Sequence, residues 1–190
     1  MHPTANWAPA GAQTPHQSKL RETMFEIQMK IARPIGEVFA TLARIEDSPL
    51  WYSAVKSVDR LHPGPVGVGT HFRFRRTLGG DDAFNEIEVT AYDPDQELEL
   101  SSISGPTPFV YRYRLDPAAN NATHLRLDGV ISGEGLGGPM ALLRPLAESF
   151  FRRGMIDNLE SLKRLIEDAS SSSVRTSTDT IQTSPPSKDR

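Results

Sequence analysis

The sequence predicts an α+β fold, a curved antiparallel sheet of about seven strands around a long C-terminal helix, with two short helices after the first strand. Three observations predict it. Apolar and polar residues alternate through most of the stretch from Phe25 to Gly129, the mark of strands with one buried face. Clusters of Gly, Pro, Asp and Asn break that alternation at hairpin spacing. An apolar stripe at helical spacing then closes the chain.

The first strand carries Phe25, Ile27, Met29 and Ile31 between Glu26, Gln28 and Lys30. Pro34 suits the first turn of a helix, where its missing N–H costs little, and Val38, Phe39 and Leu42 form that helix's apolar stripe. Asp47-Ser48-Pro49 reads as a second helix start, opening a short helix with Leu50, Trp51 and Tyr52. Val55 to Leu61 is a strand ended by His62-Pro63-Gly64-Pro65. Thr70 to Leu78 follows, with Phe72 and Phe74 inward and His71, Arg73 and Arg75 outward. Met140, Leu143, Ala147, Phe150, Phe151, Met155, Leu159, Leu162 and Ile166 recur mostly three or four apart. From Pro145 to Asp168 this stripe spans roughly 35 Å at about 1.5 Å per residue. Gly154 inside it costs near ~1 kcal/mol relative to Ala. Gly133, Gly135, Gly137 and Gly138 read as a flexible entry to the helix.

Hairpin turns set the expected register. A four-residue turn, Gly79 to Asp82, places Phe72 by Val89, Phe74 by Ile87, Arg76 by Asn85, and Arg73 and Arg75 by Glu88 and Glu86. Opposite charges across a pair support this register. Asp93-Pro94-Asp95 puts Val89 by Leu98 and Asn85 by Ser102. Gly105 to Pro108 puts Leu98 by Leu115, Leu100 by Tyr113 and Ser102 by Tyr111. The turn over Asp116 to Asn121 puts Leu125 by Leu115 and Gly129 by Tyr111. The expected inner face has an apolar floor of Phe72, Val89, Leu98, Leu115 and Leu125. A mixed layer follows, and then a polar row of Arg76, Asn85, Ser102, Tyr111 and the bare Gly129. A folded core needs no such row, whereas a cavity for a partly polar small molecule does.

Net charge is −3 with both signs interspersed. No basic stripe appears, which argues against nucleic acid and anionic membrane as partners. There is no cysteine, which removes disulfides and thiolate chemistry. No h-region and no apolar run of ~20 residues appears, so cytoplasm is the default location, with no integral membrane segment. Met1 to Ser18 is rich in Pro, Ala and Gln, and Ala169 to Arg190 in Ser, Thr and Pro. Residues 1–22 and 169–190 are expected to be disordered tails around one domain over 23–168.

Several motifs together resemble a known superfamily. They are Ile31-Ala32-Arg33-Pro34, Glu37-Val38-Phe39, Trp51, Gly67-Val68-Gly69-Thr70, Val89-Thr90 with Asp93-Pro94, and Leu159-x-x-Leu162-Lys163. In this order they resemble the START-like, or SRPBCC, superfamily, and within it the polyketide cyclase/dehydrase group, over roughly Phe25 to Asp168. The resemblance implies a helix-grip fold of birch-allergen type with a deep cavity between sheet and long helix. It also implies hydrophobic ligands such as lipids, sterols, polyketides or plant hormones, with cyclisation or dehydration in some members. No universal catalytic motif carries over, so the catalytic residues are unknown.

The expected cavity wall is Trp51, Phe74, Arg76, Asn85, Leu100, Ser102, Tyr111, Tyr113, Gly129, Phe151 and Met155. Arg76 has two readings. Inward, a buried Arg must find an anion or several acceptors, which suits a ligand carboxylate, enolate or phenolate. Alternatively it snorkels to water at the hairpin end or leaves the face at a bulge, the reading the residues favour. Tyr111 and Tyr113 need hydrogen-bond partners if buried. Asn85 and Ser102 either supply them or share in holding a ligand carbonyl. Trp51 and Tyr52 cap the cavity as plug or lid. Gly154 leaves room for ligand or lets the helix approach the sheet, the commoner use. His71 and His124 face outward and His62 lies at a turn, so no metal site is expected. With no dinucleotide or phosphate loop, no cofactor is expected.

Two function classes follow. One is binding of a hydrophobic, partly oxygenated small molecule. The other is a cyclase, aromatase or dehydratase, which needs a proton donor and acceptor where the inner face offers Tyr, Ser, Asn and Arg76. A co-chaperone-type interaction domain of similar fold is a third, opposed by the charge ladders outside.

Overall fold

A computed structural model describes residues 22–78, 80–132 and 144–179. Strand β1 (Glu22–Ile31) leads into helix α1 (Ile35–Ala43) and a 3-10 turn (Ile45–Leu50). Six strands follow: β2 (Val55–Arg60), β3 (His71–Leu78), β4 (Asp81–Asp93), β5 (Glu97–Ser104), β6 (Phe109–Ala118) and β7 (Ala122–Ser132). Helix α2 (Arg144–Asp179) closes the chain. The strands form one antiparallel sheet in the order β1-β7-β6-β5-β4-β3-β2. The expected seven strands, two short helical segments and long C-terminal helix are all present.

The core lies where the inner face of the sheet meets α2. Ile27, Phe72, Ile87, Val89, Leu98, Leu125 and Leu127 are buried from the sheet, and Met155, Leu159, Leu162 and Ile166 from the helix. Each such side chain contributes roughly 1.5–3 kcal/mol when removed from water. Glu167 fastens the far end of α2, its Oε1 accepting the Ala32 N–H at 2.8 Å and its carbonyl accepting from Arg33. Val38, Phe39 and Leu42 bury the expected face of α1, and Pro34 stands just before its first residue.

Alternation assigned the faces as found, but three hairpins are shifted. Phe72 pairs with Ile87, Phe74 with Asn85 and Arg76 with Ala83. Val89 pairs with Leu100 and Ile87 with Ser102, while Leu98 pairs with Tyr113 and Leu100 with Tyr111. The inward pairs are displaced by two residues, which leaves every side chain on its face because the strand period is two. The first shift arises because Leu78 pairs with Asp81 across a two-residue loop. The second arises at the turn, where Asp93 pairs with Glu97 across a three-residue loop, and the irregularity at Val89/Ala91 brings the offset to two. The last hairpin has the expected register, with Leu115 by Leu125, Tyr113 by Leu127 and Tyr111 by Gly129. The outer ion pairs shift too: Arg73 meets Glu86 at 3.3 Å and Arg75 meets Asp82.

Other differences are local. The 3-10 turn begins at Ile45 and contains Pro49, so Asp47-Ser48-Pro49 lies within it, and Trp51 and Tyr52 follow it. Ser48 turns inward instead of capping, donating to the Ile45 carbonyl at 2.7 Å. Helix α2 continues to Asp179, past the expected end at Asp168. A helix already anchored by packing extends at little cost per residue through Ser, Arg and Thr. Met1–Ser18, the Gly133–Gly138 entry, Met140, Leu143 and residues 180–190 lie outside the described residues, as do the side chains of Ala147 and Phe150.

Candidate ligand-binding site

The shifted register disperses the expected polar row. Tyr111 and Gly129 lie side by side with Leu100 and Val89, while Asn85 lies beside Phe74. The polar groups regroup at the end of the sheet formed by the β3–β4 and β5–β6 hairpins.

Arg76 points inward and is buried. Its Nε and Nη2 both donate to Asn85 Oδ1, at 3.0 and 2.6 Å, and Nη2 also reaches the Pro106 carbonyl and Thr107 Oγ1 at 3.0 Å. Asn85 is fully buried. Its Nδ2 lies 3.0 Å from each of Ser102 Oγ, the Ser104 carbonyl and the Pro106 carbonyl. Asn85 and Ser102 therefore hold the guanidinium and the β5–β6 turn, and do not supply the tyrosines. The turn is itself constrained. Thr107 has φ 48°, a left-handed conformation rarely adopted by a β-branched residue. Gly105 has φ 96°, and a Cβ there would lie 2.9 Å from Asn85 Cα.

This arrangement settles the orientation of Arg76 against the snorkelling reading. Neutral oxygens surround the guanidinium, and the Phe109 ring lies 5.4 Å from its Cζ, a cation–π contact. Among the described residues no carboxylate pairs with Arg76, and its Nη1 has no hydrogen-bond partner. A buried cation without a counter-charge is costly.

Arg76 lines a cleft of about 330 Å³ between this end of the sheet and α2. The ring of Phe109 and the side chains of Thr107, Tyr111 and Ile131 form its sheet wall. Phe151, Gly154, Met155 and Asn158 line it from the helix, and Tyr52, Ser53 and Ala54 from the segment after the 3-10 turn. Most of the wall is apolar, as small-molecule sites usually are. Phe109 stacks on Tyr111 at 4.4 Å between ring centroids, and the Tyr111 hydroxyl meets that of Tyr52 at 3.3 Å. Asn158 Oδ1 accepts from both the N–H and the Oγ of Ser53, at 3.1 and 3.0 Å, tying the segment to the helix.

Burial pushes the Tyr111 phenol well above its ordinary range, with a further rise from neighbouring Tyr52. Burial likewise pushes the Tyr113 phenol up. Both stay protonated near neutral pH and are not bases there.

Of the expected wall residues, Arg76, Tyr111, Phe151 and Met155 meet in this cleft. Trp51 is buried behind it, stacked on Tyr52 at 5.8 Å. Asn85 and Ser102 stand behind Arg76. Phe74, Leu100 and Tyr113 are buried in the sheet core, off this wall. Gly129 serves packing: a Cβ there would lie 2.6 Å from Phe25 Cε2, so the ring of Phe25 fills the space expected to be open. Gly154 serves the cleft, since an added Cβ would meet nothing within 4 Å. Phe109 and Ile131 continue the inward alternation of β6 and β7 by one step and were within reach of sequence reasoning. So was Asn158, a polar residue three positions after Met155 in the helical stripe.

A sheet wrapped around a C-terminal helix with a cleft between them is the helix-grip architecture of START-like proteins. The chain belongs to the polyketide cyclase/dehydrase and lipid transport family, whose model matches residues 22–167. Its structure is similar to Zhui aromatase/cyclase from Streptomyces sp. R1128, with TM-score 0.64, 16% identity, and coverage of 77% of this chain and 94% of that one. It is also similar to a START superfamily protein from Mycobacterium smegmatis, with TM-score 0.63, 14% identity, and 77% and 98% coverage. A third likeness is to the di-domain aromatase/cyclase StfQ of the steffimycin biosynthetic pathway, with TM-score 0.66, 14% identity, and 82% and 54% coverage. At these identities the likeness shows the fold. No curated protein sequence matches the chain. No described helix is long and apolar enough to cross a membrane.

Proposed function

We propose that this chain binds a hydrophobic, partly oxygenated small molecule of lipid or polyketide type in the cleft between the sheet end and α2. The observation that carries the reading is Arg76, a buried guanidinium that lines an apolar cleft without a carboxylate partner. An acid, enolate or phenolate oxygen at Nη1 supplies the missing counter-charge, and the Tyr52–Tyr111 hydroxyls offer a neutral donor on the same wall. Fatty or aromatic carbon then covers Phe109, Ile131, Phe151 and Met155.

Among the described residues the wall holds no carboxylate and no histidine. Burial raises its Tyr111 phenol, and a guanidinium does not act as a base near neutral pH. These features support binding over acid–base turnover. A second reading, an aromatase/cyclase or dehydratase, draws support from the same Arg76, because a fixed cation stabilises developing enolate charge. In that reading the protein folds and polarises a carbonyl substrate whose own acidity supplies the proton. The co-chaperone reading is disfavoured by outer-face ion pairs such as Arg112–Glu99 and Arg114–Asp128.

Titration of naphthoic acid and its methyl ester into wild type and Arg76→Met tests the proposal. A desolvated charge-assisted bond contributes roughly 1.5–3 kcal/mol. The acid should therefore lose about ten- to a hundredfold in affinity, and the ester little. An equal loss for both would point to damaged shape and refute the charge assignment.

A further inference from the structure

Asn158 is the polar break in the buried stripe of α2. It stands between Met155 and Leu159 on the cleft's helix wall and is only 5% exposed. A buried amide is costly unless its groups are bonded. Its oxygen is satisfied twice, by the N–H and the Oγ of Ser53. A backbone N–H can only donate, so this contact fixes which arm of the amide is the oxygen. Ser53 is exposed, which turns the oxygen arm toward the rim and leaves Nδ2 to the cleft. Among the described residues Nδ2 has no hydrogen-bond partner. Arg76 Nη1, on the sheet wall, is in the same state. Acceptors on the wall are already engaged. The Tyr52 and Tyr111 hydroxyls bond each other. Thr107 Oγ1 donates to the Pro106 carbonyl and accepts from Arg76. Of the described wall side chains, the half-buried Thr77 hydroxyl is the one oxygen with no partner.

We infer that the cleft selects a ligand at the ketone oxidation level over the matching alcohol, and that Asn158 reads the difference. The inference rests on the proposed cleft and narrows its ligand class to keto acids. The acid oxygen meets Arg76 Nη1 and the ketone oxygen accepts from Asn158 Nδ2, so both unmet donors are filled. An alcohol oxygen can also accept from Nδ2. Its own O–H then needs an acceptor on a wall whose oxygens are engaged. Leaving that O–H buried and unbonded costs more than the bond to Nδ2 returns. Discrimination through an unpaired buried polar group exceeds what apolar contact alone achieves. The selection holds whether or not the bound molecule is turned over.

The test is calorimetric titration of the full chain at about pH 8 with three kinds of probe. They are 2-naphthoic acid, its 5-, 6- and 7-acetyl derivatives, and the 1-hydroxyethyl acids made by reducing each ketone. The isomers sample the span between Arg76 and Asn158. In wild type the tightest acetyl acid should bind about tenfold or more tighter than its own alcohol. Asn158→Asp keeps the acceptor for Ser53 and puts a second acceptor where Nδ2 stood, so there the alcohol should bind severalfold tighter than the ketone. Both probes carry the acid, so their ratio cancels the effect of the added charge on Arg76. Asn158→Leu removes the donor without adding charge; the ketone should lose about tenfold and naphthoic acid little. If naphthoic acid loses as much, the Leu variant has damaged the cleft and the ratio in Asn158→Asp decides. Equal binding of ketone and alcohol by wild type would overturn the inference, as would a ketone preference unchanged in Asn158→Asp. Naphthoic acid that fails to bind wild type, or that binds Gly154→Phe equally well, would overturn the cleft reading and the inference with it.

Discussion

Replacing Gly154 separates what the helix needs from what the cleft needs. Gly within a helix costs about 1 kcal/mol relative to Ala. A Cβ at this position meets nothing within 4 Å, so Gly154→Ala keeps the gain without steric loss. For a domain of this size 1 kcal/mol raises the melting temperature by roughly 2–4 °C. Gly154→Phe places a benzyl group in a cleft of about 330 Å³. Excluding an aromatic probe that buries ~150 Å² at ~25 cal/mol per Å² forfeits on the order of 3–4 kcal/mol, at least a hundredfold in affinity. Calorimetry gives the melting temperatures, and titration with anilinonaphthalene sulfonate gives the affinities. The Ala variant should be more stable and bind nearly as wild type, and the Phe variant should fold and bind poorly. A destabilised Ala variant would mean the glycine serves close packing. Undiminished binding by the Phe variant would place the site elsewhere.

Further outcomes follow from the same geometry. Gly129→Ala should destabilise by roughly 1–3 kcal/mol through overlap with Phe25, and Phe25→Leu in the same chain should recover part of that loss in a double-mutant cycle. The raised Tyr111 and Tyr113 phenols predict an alkaline effect. Below pH ~10 both folded and unfolded chains keep these protons. Above it only the unfolded chain releases them, so stability falls by about 1.4 kcal/mol per pH unit per tyrosine. Urea titrations from pH 9 to 11 should show a shallower fall in Tyr111→Phe. Truncation after Asp168 should leave the melting temperature unchanged within error, because Ile166 is the last buried side chain of the described residues. A clear drop would show that the segment docks.

Which residues face inward was legible because alternation fixes faces whatever the register. The register was not, because a two-residue shift preserves every face and conflicts with no hydrophobic pattern. Only the turn geometry distinguishes the alternatives. The two-residue loop between Leu78 and Asp81, the irregularities in β4 and the left-handed Thr107 depend on contacts made after folding. The β6–β7 register was legible because its pairing carries through to Ala118 and Ala122 without a bulge. At the site, Arg76, Tyr111, Phe151 and Met155 followed from strand and helix periodicity. Tyr52 and Thr107 lie in irregular segments that have none. Gly129 and Gly154 look alike in sequence, and only the neighbouring atoms reveal that one accommodates Phe25 and the other opens the cleft.

The central claim is that the small molecule sits against α2 beside Arg76, and the methionine methyls report it directly. The chain has five methionines. Met155 lines the cleft, while Met29 packs on the core beside Leu125. In carbon-13 methyl spectra of the full chain, naphthoic acid should shift the Met155 resonance saturably and leave Met29 in place. The Met155 shift should disappear in Gly154→Phe. A ligand that binds while moving Met29 and not Met155 would contradict the account.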